Sequence, residues 1–220
     1  MPLLSKVKTM QALHLMSEMF PDAKGELNAK NPFELLIAVT LSAQTTDVAV
    51  NKVTPALFKA YPTPEKLAMA QTDDIIELIK TIGLYRNKAK NIKAAAQMLL
   101  DEFEGQVPKT HEELEMLPGV GRKTANVVLG DAFGIPGIAV DTHVQRVSKR
   151  LRIAKLDASV KEVELALMKR VPEELWVKAH HTIILFGRYH CTARKPKCEE
   201  CPLLELCADG KQRMKEKKKA

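Results

Sequence analysis

The sequence predicts an all-α fold, and three observations carry that prediction. Helix caps recur from one end of the chain to the other. Leu, Ala, Lys, Glu and Met are plentiful while aromatic residues make up only 5% of the chain, a mix that favours helix over sheet. No stretch alternates apolar and polar residues at the period of a strand. Apolar residues at 45% are ample for a buried core, and charged residues at 28% are ordinary for a folded domain in water.

Taken in order, the N-terminal stretch reads as an amphipathic helix. Ala12, Leu13, Leu15, Met16, Met19 and Phe20 interleave with Lys6, Lys8 and Glu18. It has no unbroken apolar run of the kind a signal sequence needs, and no segment is long enough to span a membrane. Asn31-Pro32-Phe33-Glu34 offers an N-cap, a proline at the first helical position and a glutamate at the third. The apolar run Leu35 to Leu41 makes the helix that follows central and buried. Thr63-Pro64-Glu65 opens a short helix, and Thr72-Asp73-Asp74 opens another that stops before Gly83. Asn87 to Glu104 is a longer amphipathic helix ending at Gly105, and Thr110-His111-Glu112-Glu113 is a second capping box. Helical patterns also cover roughly 123–133, 142–152, 159–170 and 173–187, for about ten short helices in all.

The net charge of +7 is unevenly placed. Residues 211–220 hold six basic side chains against one acidic one, so +5 sits there and the body carries +2. Overall basicity therefore says little about nucleic acid. The last ten residues read as a solvated, disordered tail that could still add phosphate contacts.

The stretch from Leu117 to Ala125 (Leu-Pro-Gly-Val-Gly-Arg-Lys-Thr-Ala) is the first that suggests chemistry. One helix ends at Leu117 and another starts just after Gly121. Glycine allows positive φ and close backbone approach, Pro118 stiffens the entry, and Val120 can turn inward to pin the bend. Such a bend would present backbone N–H groups at a helix N-terminus, where phosphate binds readily. A plain corner between two helices would use the same glycines. Lys123 follows the bend closely, and Asp141 sits where the apolar stretch Ala139-Val140 meets a new helix. A lysine there can clamp a phosphate or simply face solvent, and an aspartate there can be an ordinary N-cap.

The four cysteines, Cys191, Cys198, Cys201 and Cys207, all fall within 17 residues at the spacing C-x6-C-x2-C-x5-C. Such clustering points to a metal site in a reducing compartment rather than to disulfides. Zinc and iron–sulfur clusters both accept four thiolates, but structural zinc usually pairs two C-x2-C knuckles and only one is present.

Taken together, these stretches resemble the endonuclease III family of helix-hairpin-helix DNA glycosylases. The resemblance spans most of the chain. It rests on Leu41-Ser42-Ala43-Gln44, Gly83-Leu84-Tyr85, the 117–125 hairpin, Val140-Asp141-Thr142-His143 and the four cysteine positions. Adenine-mismatch glycosylases are similar in fold and cysteine loop but lack the lysine at 123.

The resemblance implies two helical domains divided by a groove. One is a bundle over 22–135 ending in the helix-hairpin-helix. The other combines 1–21 with 136–210, and 211–220 is the tail. It implies a base-excision DNA glycosylase with AP lyase activity on oxidised or ring-saturated pyrimidines and abasic sites. Lys123 would form a Schiff base with the sugar, and Asp141, facing it across the groove, would support the charge that develops there. Extruding the damaged nucleotide leaves a gap in the stack. Gln44 would fill it and Leu84 would wedge the opposite strand. Gly119, Val120, Gly121 and Arg122 would grip the DNA backbone, while His143 and Glu115 would line the pocket. The cysteines would hold a 4Fe–4S cluster, with Arg194, Lys195 and Lys197 presenting positive charge beside it. The expected partner is double-stranded DNA carrying damaged bases or abasic sites. No membrane is involved, and the chain is expected to be a monomer in the cytoplasm, associated with the nucleoid if bacterial.

Overall fold

The computed structural model describes residues 2–219 and contains no strand among them. The helices run α1 (Lys6–Met19), α2 (Pro32–Leu41), α3 (Asp47–Ala60), α4 (Pro64–Met69), α5 (Thr72–Ile79) and α6 (Tyr85–Phe103). They continue as α7 (His111–Met116), α8 (Arg122–Phe133), α9 (Thr142–Arg150), α10 (Val160–Met168), a 3-10 turn at Glu173–Leu175, α11 (Trp176–Tyr189) and α12 (Ala208–Lys217). No described helix is long and apolar enough to cross a membrane. The chain divides into two compact units, Glu26–Ile135 and Met1–Gly25 with Pro136–Ala220, and each has its own core.

In the first unit α2 is the central element. The Asn31 side chain accepts from the Glu34 N–H at 2.9 Å and Pro32 opens the helix, as the capping pattern predicts. Leu36, Ile37, Ala38 and Leu41 are fully buried, and α2 packs on α3, α6 and α8. Each such side chain contributes roughly 1.5–3 kcal/mol by leaving water. The Thr63 cap holds as expected. The Thr110 box forms by half: the Thr110 hydroxyl accepts from the Glu113 N–H at 3.3 Å, but it donates to the Glu113 carboxylate at 2.7 Å, so the backbone N–H of Thr110 is not the donor.

Two helices lie outside the ten that the sequence suggests. One is α3, whose interior Pro55 and β-branched Val48, Val50, Val53 and Thr54 obscure a helical pattern. The Asn51 carbonyl has no proline N–H to meet. The Asn51 side chain accepts from the Asn28 N–H and donates to the Glu26 carbonyl, which sews the preceding loop to α3. The other is α12, which corrects the expected disordered tail: the chain is helical as far as Lys217. Cys207 caps it by accepting from the Gly210 N–H at 3.2 Å. Pairs between Arg213 and Asp209, Lys211 and Glu205, and Lys217 and Glu199 then tie charges to it that a free tail would repel.

In the second unit Ala12 and Met16 of α1 pack with Ile138, Val144, Val147, Ile183 and Phe186. Here α11 packs on both α1 and α9. Gly187 permits the second contact, because a β-carbon there would lie 2.9 Å from the His143 β-carbon and 3.2 Å from a Val147 methyl. Ser159 and Glu162 form a full reciprocal capping box at the start of α10.

Candidate active site

The candidate residues fall into two sets, one per unit. Gln44, Leu84 and the hairpin through Lys123 belong to the first. Asp141, His143 and the four cysteines belong to the second.

Gln44 follows the end of α2 in a bend closed by the Thr45 N–H on the Ser42 carbonyl at 3.0 Å. It is exposed and left-handed, with φ +54. Leu84 precedes α6, also left-handed at φ +59, and is 55% exposed. A bulky residue in that region carries roughly 1–2 kcal/mol of strain. A leucine that is neither buried nor relaxed is not there for packing, so the core explanation of Leu84 fails. The two bends adjoin: a β-carbon at Gly83 would lie 3.9 Å from both the Gln44 carbonyl and the Thr45 hydroxyl.

The hairpin is built as its sequence suggests. Val120 is buried with Leu117 in the core, and its N–H closes the turn on the Leu117 carbonyl at 3.0 Å. Gly119 sits at φ +83, and a β-carbon there would meet Asn91 at 2.9 Å and the Thr40 methyl at 3.1 Å. Glycine is therefore required twice over. Gly121 has φ −113 and open space around its missing side chain, so neither backbone conformation nor packing requires glycine there. Arg122 and Lys123 are exposed in the first turn of α8. A phosphate approaching that turn meets a helix N-terminus and two cationic side chains. Glu115 is exposed on α7, 3.8 Å from His111.

Asp141 is the N-cap of α9. Its Oδ1 accepts from the N–H groups of both His143 and Val144 at 2.8 Å. Both N–H donors share one oxygen, and Oδ2 has no hydrogen bond among the described residues. The ordinary structural role is thus real and leaves half the carboxylate for chemistry. His143 Nδ1 lies 3.1 Å from the Arg146 guanidinium, which also donates to the carbonyls of Gly187 at 2.7 Å and Cys191 at 3.2 Å. Burial, then the like charge of Arg150, lowers the Arg146 pKa, while Cys191 and Asp141 oppose the shift. Arg146 and Arg150 were not among the sequence candidates. Their spacing puts them on one face of α9, but only the fold brings that face to the cysteine loop.

The four cysteines are free thiols around one small cavity, lined also by Arg150, Phe186, His190 and Leu203. Burial pushes the Cys201 thiol up to about 11, with Cys207, Cys191 and Cys198 adding to the rise against a backbone hydrogen bond from Leu203. Thiols that oppose one another's ionisation suit a cationic core that would deprotonate all four. Cys207 also receives the Gly210 N–H at 3.2 Å and Cys191 receives Arg150 at 3.3 Å. Such donors surround a cluster's thiolates. Arg194, Lys195 and Lys197 share a neighbouring concave surface with Arg213 and Lys217.

Residues 37–173 match the HhH-GPD superfamily of base excision DNA repair proteins, and residues 191–207 match the iron–sulfur binding domain of endonuclease III. Endonuclease III of Bacillus subtilis is 55% identical over 203 residues, covering 92% of this chain and 93% of its own. A structure of endonuclease III trapped as a covalent intermediate with DNA, in an estranged-adenine complex, is similar at a TM-score of 0.94 and 56% identity, over 96% of this chain and all (100%) of that one. A thermostable thymine-DNA glycosylase is similar at 0.80 and 26% identity, over 93% of this chain and 97% of that one. The loop match and the cavity ringed by thiols agree on a 4Fe–4S cluster. By family match, identity and fold, this chain belongs to endonuclease III within the HhH-GPD superfamily of base excision DNA repair proteins.

Proposed function

We infer that Lys123 is the nucleophile with which this DNA glycosylase and AP lyase works on duplex DNA. The observation that carries the reading is an exposed amine in the first turn of α8, directly after a hairpin suited to phosphate. A relative 56% identical to this chain was trapped as a covalent intermediate with DNA, which requires a nucleophile on the protein. The substrates are oxidised or ring-saturated pyrimidines and abasic sites, and the work is done in the cytoplasm, where cysteine thiols stay reduced.

The chemistry runs in two stages. After losing a proton, the amine attacks C1′ of the sugar, and the base leaves with the electron pair of the glycosidic bond. The sugar opens to an iminium with the lysine nitrogen. That cation makes the C2′ proton acidic. Its removal pushes electrons into a C2′–C3′ double bond and expels the 3′ phosphate, cutting the strand. Hydrolysis of the iminium returns the lysine. Asp141, through the oxygen not used in capping α9, stabilises the positive charge that develops on the sugar as the base departs. Gln44 fills the gap left by the extruded nucleotide and Leu84 wedges the opposite strand, and their exposure and left-handed backbones support those roles. The hairpin residues Gly119, Val120, Gly121 and Arg122 hold phosphate and position the duplex without reading its sequence. His143, next but one to Asp141 and held by Arg146, is a further candidate to line the pocket.

Cys191, Cys198, Cys201 and Cys207 hold the 4Fe–4S cluster. Held by these four thiolates, the cluster would cross-link a loop with no regular helix of its own.

Borohydride trapping tests the reading. The cluster-loaded protein is mixed with a duplex carrying one abasic site, then reduced. A covalent protein–DNA band is expected from wild type and none from Lys123→Ala. Absence of the band from wild type that binds the duplex would exclude the Schiff base.

A further inference from the structure

The bends that carry Gln44 and Leu84 are joined by one buried side chain. Lys88 lies in the first turn of α6 and is 5% exposed. Its backbone N–H donates to the Leu84 carbonyl at 3.0 Å. Its ammonium donates to the Thr45 hydroxyl at 2.6 Å. Thr45 in turn closes the bend around Gln44. One residue therefore bonds to Leu84 itself and to the neighbour of Gln44, and both Leu84 and Gln44 are left-handed and exposed.

A lysine is a poor choice for merely holding a core together. Among the described residues no carboxylate pairs with Lys88, and burial lowers its pKa. An apolar side chain of similar length would fill the same space without the desolvation penalty. What the ammonium adds is a directional bond to a hydroxyl on the other bend, which no apolar chain can make.

We propose that Lys88 is a positioning residue for nucleotide extrusion, fixing the Gln44 and Leu84 bends relative to each other before DNA arrives. The proposal rests on the reading that Gln44 and Leu84 enter the duplex. Opening the stack is costly, and two probes held ready lose less freedom on insertion than two that move independently. The buried charge is then a stability cost retained for that readiness.

The test compares single-turnover excision of an oxidised pyrimidine from duplex DNA with affinity for undamaged duplex. The variants are Lys88→Met, Thr45→Val, Thr45→Ser and the Lys88→Met/Thr45→Val pair, each with its Tm and its cluster content measured. Lys88→Met and Thr45→Val are expected to slow excision by roughly ten- to a hundredfold, the range a small misplacement costs. The pair should be no slower than the worse single variant, and Thr45→Ser should recover the rate that Thr45→Val loses. Tm should stay at or above wild type for Lys88→Met and for the pair and fall for Thr45→Val, which leaves the buried ammonium without its hydroxyl, and affinity for undamaged duplex should hold throughout. A 2-aminopurine opposite the lesion should brighten more slowly in the slowed variants.

Wild-type rates, additive losses, or losses that track Tm across the variants would overturn the proposal. If Lys88→Met fails to fold, the contrast between Val and Ser at Thr45 decides. Gln44→Ala and Leu84→Ala, run alongside, separate the two levels. Wild-type excision by both sinks the insertion reading itself. Slow excision by both beside a fast Lys88→Met sinks only the role of Lys88.

Discussion

On the proposed reading Asp141 holds two jobs in one side chain, and substitution can part them. Its Oδ1 caps α9 through two N–H groups, a role asparagine fills equally well. Asp141→Asn should therefore keep its thermal stability while excision falls on the order of a hundredfold or more, because the charge opposite the developing cation is gone. Asp141→Ala should lose the cap as well, costing about 1 kcal/mol in denaturant unfolding. Equal stability losses in the two variants would argue against the division of roles. On the same reading Leu84 tests the converse case, in which function is kept against stability. Its left-handed backbone costs roughly 1–2 kcal/mol, and at 55% exposure it recovers little by burial. Glycine would relieve the strain at an entropic cost of about 0.5–1 kcal/mol. Leu84→Gly should thus leave stability unchanged or slightly higher while slowing excision from paired duplex, read by Tm beside single-turnover kinetics.

At the scale of elements, the hairpin distinguishes two glycines that look alike in sequence. Gly119 is left-handed and pressed against Asn91 and Thr40, whereas Gly121 has ordinary backbone angles and nothing near it. Gly119→Ala should destabilise the protein by about 2 kcal/mol or more, combining backbone strain with the clash. Gly121→Ala should fold like wild type and bind duplex DNA more weakly, because a methyl group would stand in the open space proposed for the phosphate contact. Chemical denaturation and a binding titration at fixed salt separate the two outcomes. The same scale explains α3 and α12. Proline inside α3 removes one helical bond, yet Val50, Val53 and Leu57 gain enough burial to hold the helix. At α12 the order comes from a cysteine cap and ion pairs whose partners a linear reading of the tail does not reveal.

For the molecule as a whole, the cysteine loop is the part with the least core of its own. The second unit's core is built from α1, α9, α10 and α11, and Leu203 is the only fully buried hydrophobic residue that the loop adds. Removing the cluster should therefore free residues 191–207 without unfolding those helices. Limited proteolysis is expected to cut the iron-free protein between Cys191 and Cys207, with most far-ultraviolet circular dichroism retained. Arg146 and Arg150 reach from α9 to the backbone and sulfur of Cys191, so loosening should spread to the start of α9 and slow excision. Global unfolding on iron loss would show that the cluster supports the core itself.

The sequence by itself determined where most helices begin and which residue types stand at the chemical positions. Caps such as Asn31, Thr63, Thr110, Asp141 and Ser159 bond to N–H groups two or three residues away, so their signal is complete within a few residues. The hairpin and the cysteine spacing are equally local. Only the tertiary structure decided that Gln44 and Leu84 are left-handed and exposed, that Lys88 is buried between their bends, and that Arg146 ties the His143 end of α9 to the cysteine loop. Those arrangements join residues far apart in the chain, 43 positions for Lys88 with Thr45 and 45 for Arg146 with Cys191. A hydrogen bond that needs two helices packed before it can form leaves no periodicity in either one.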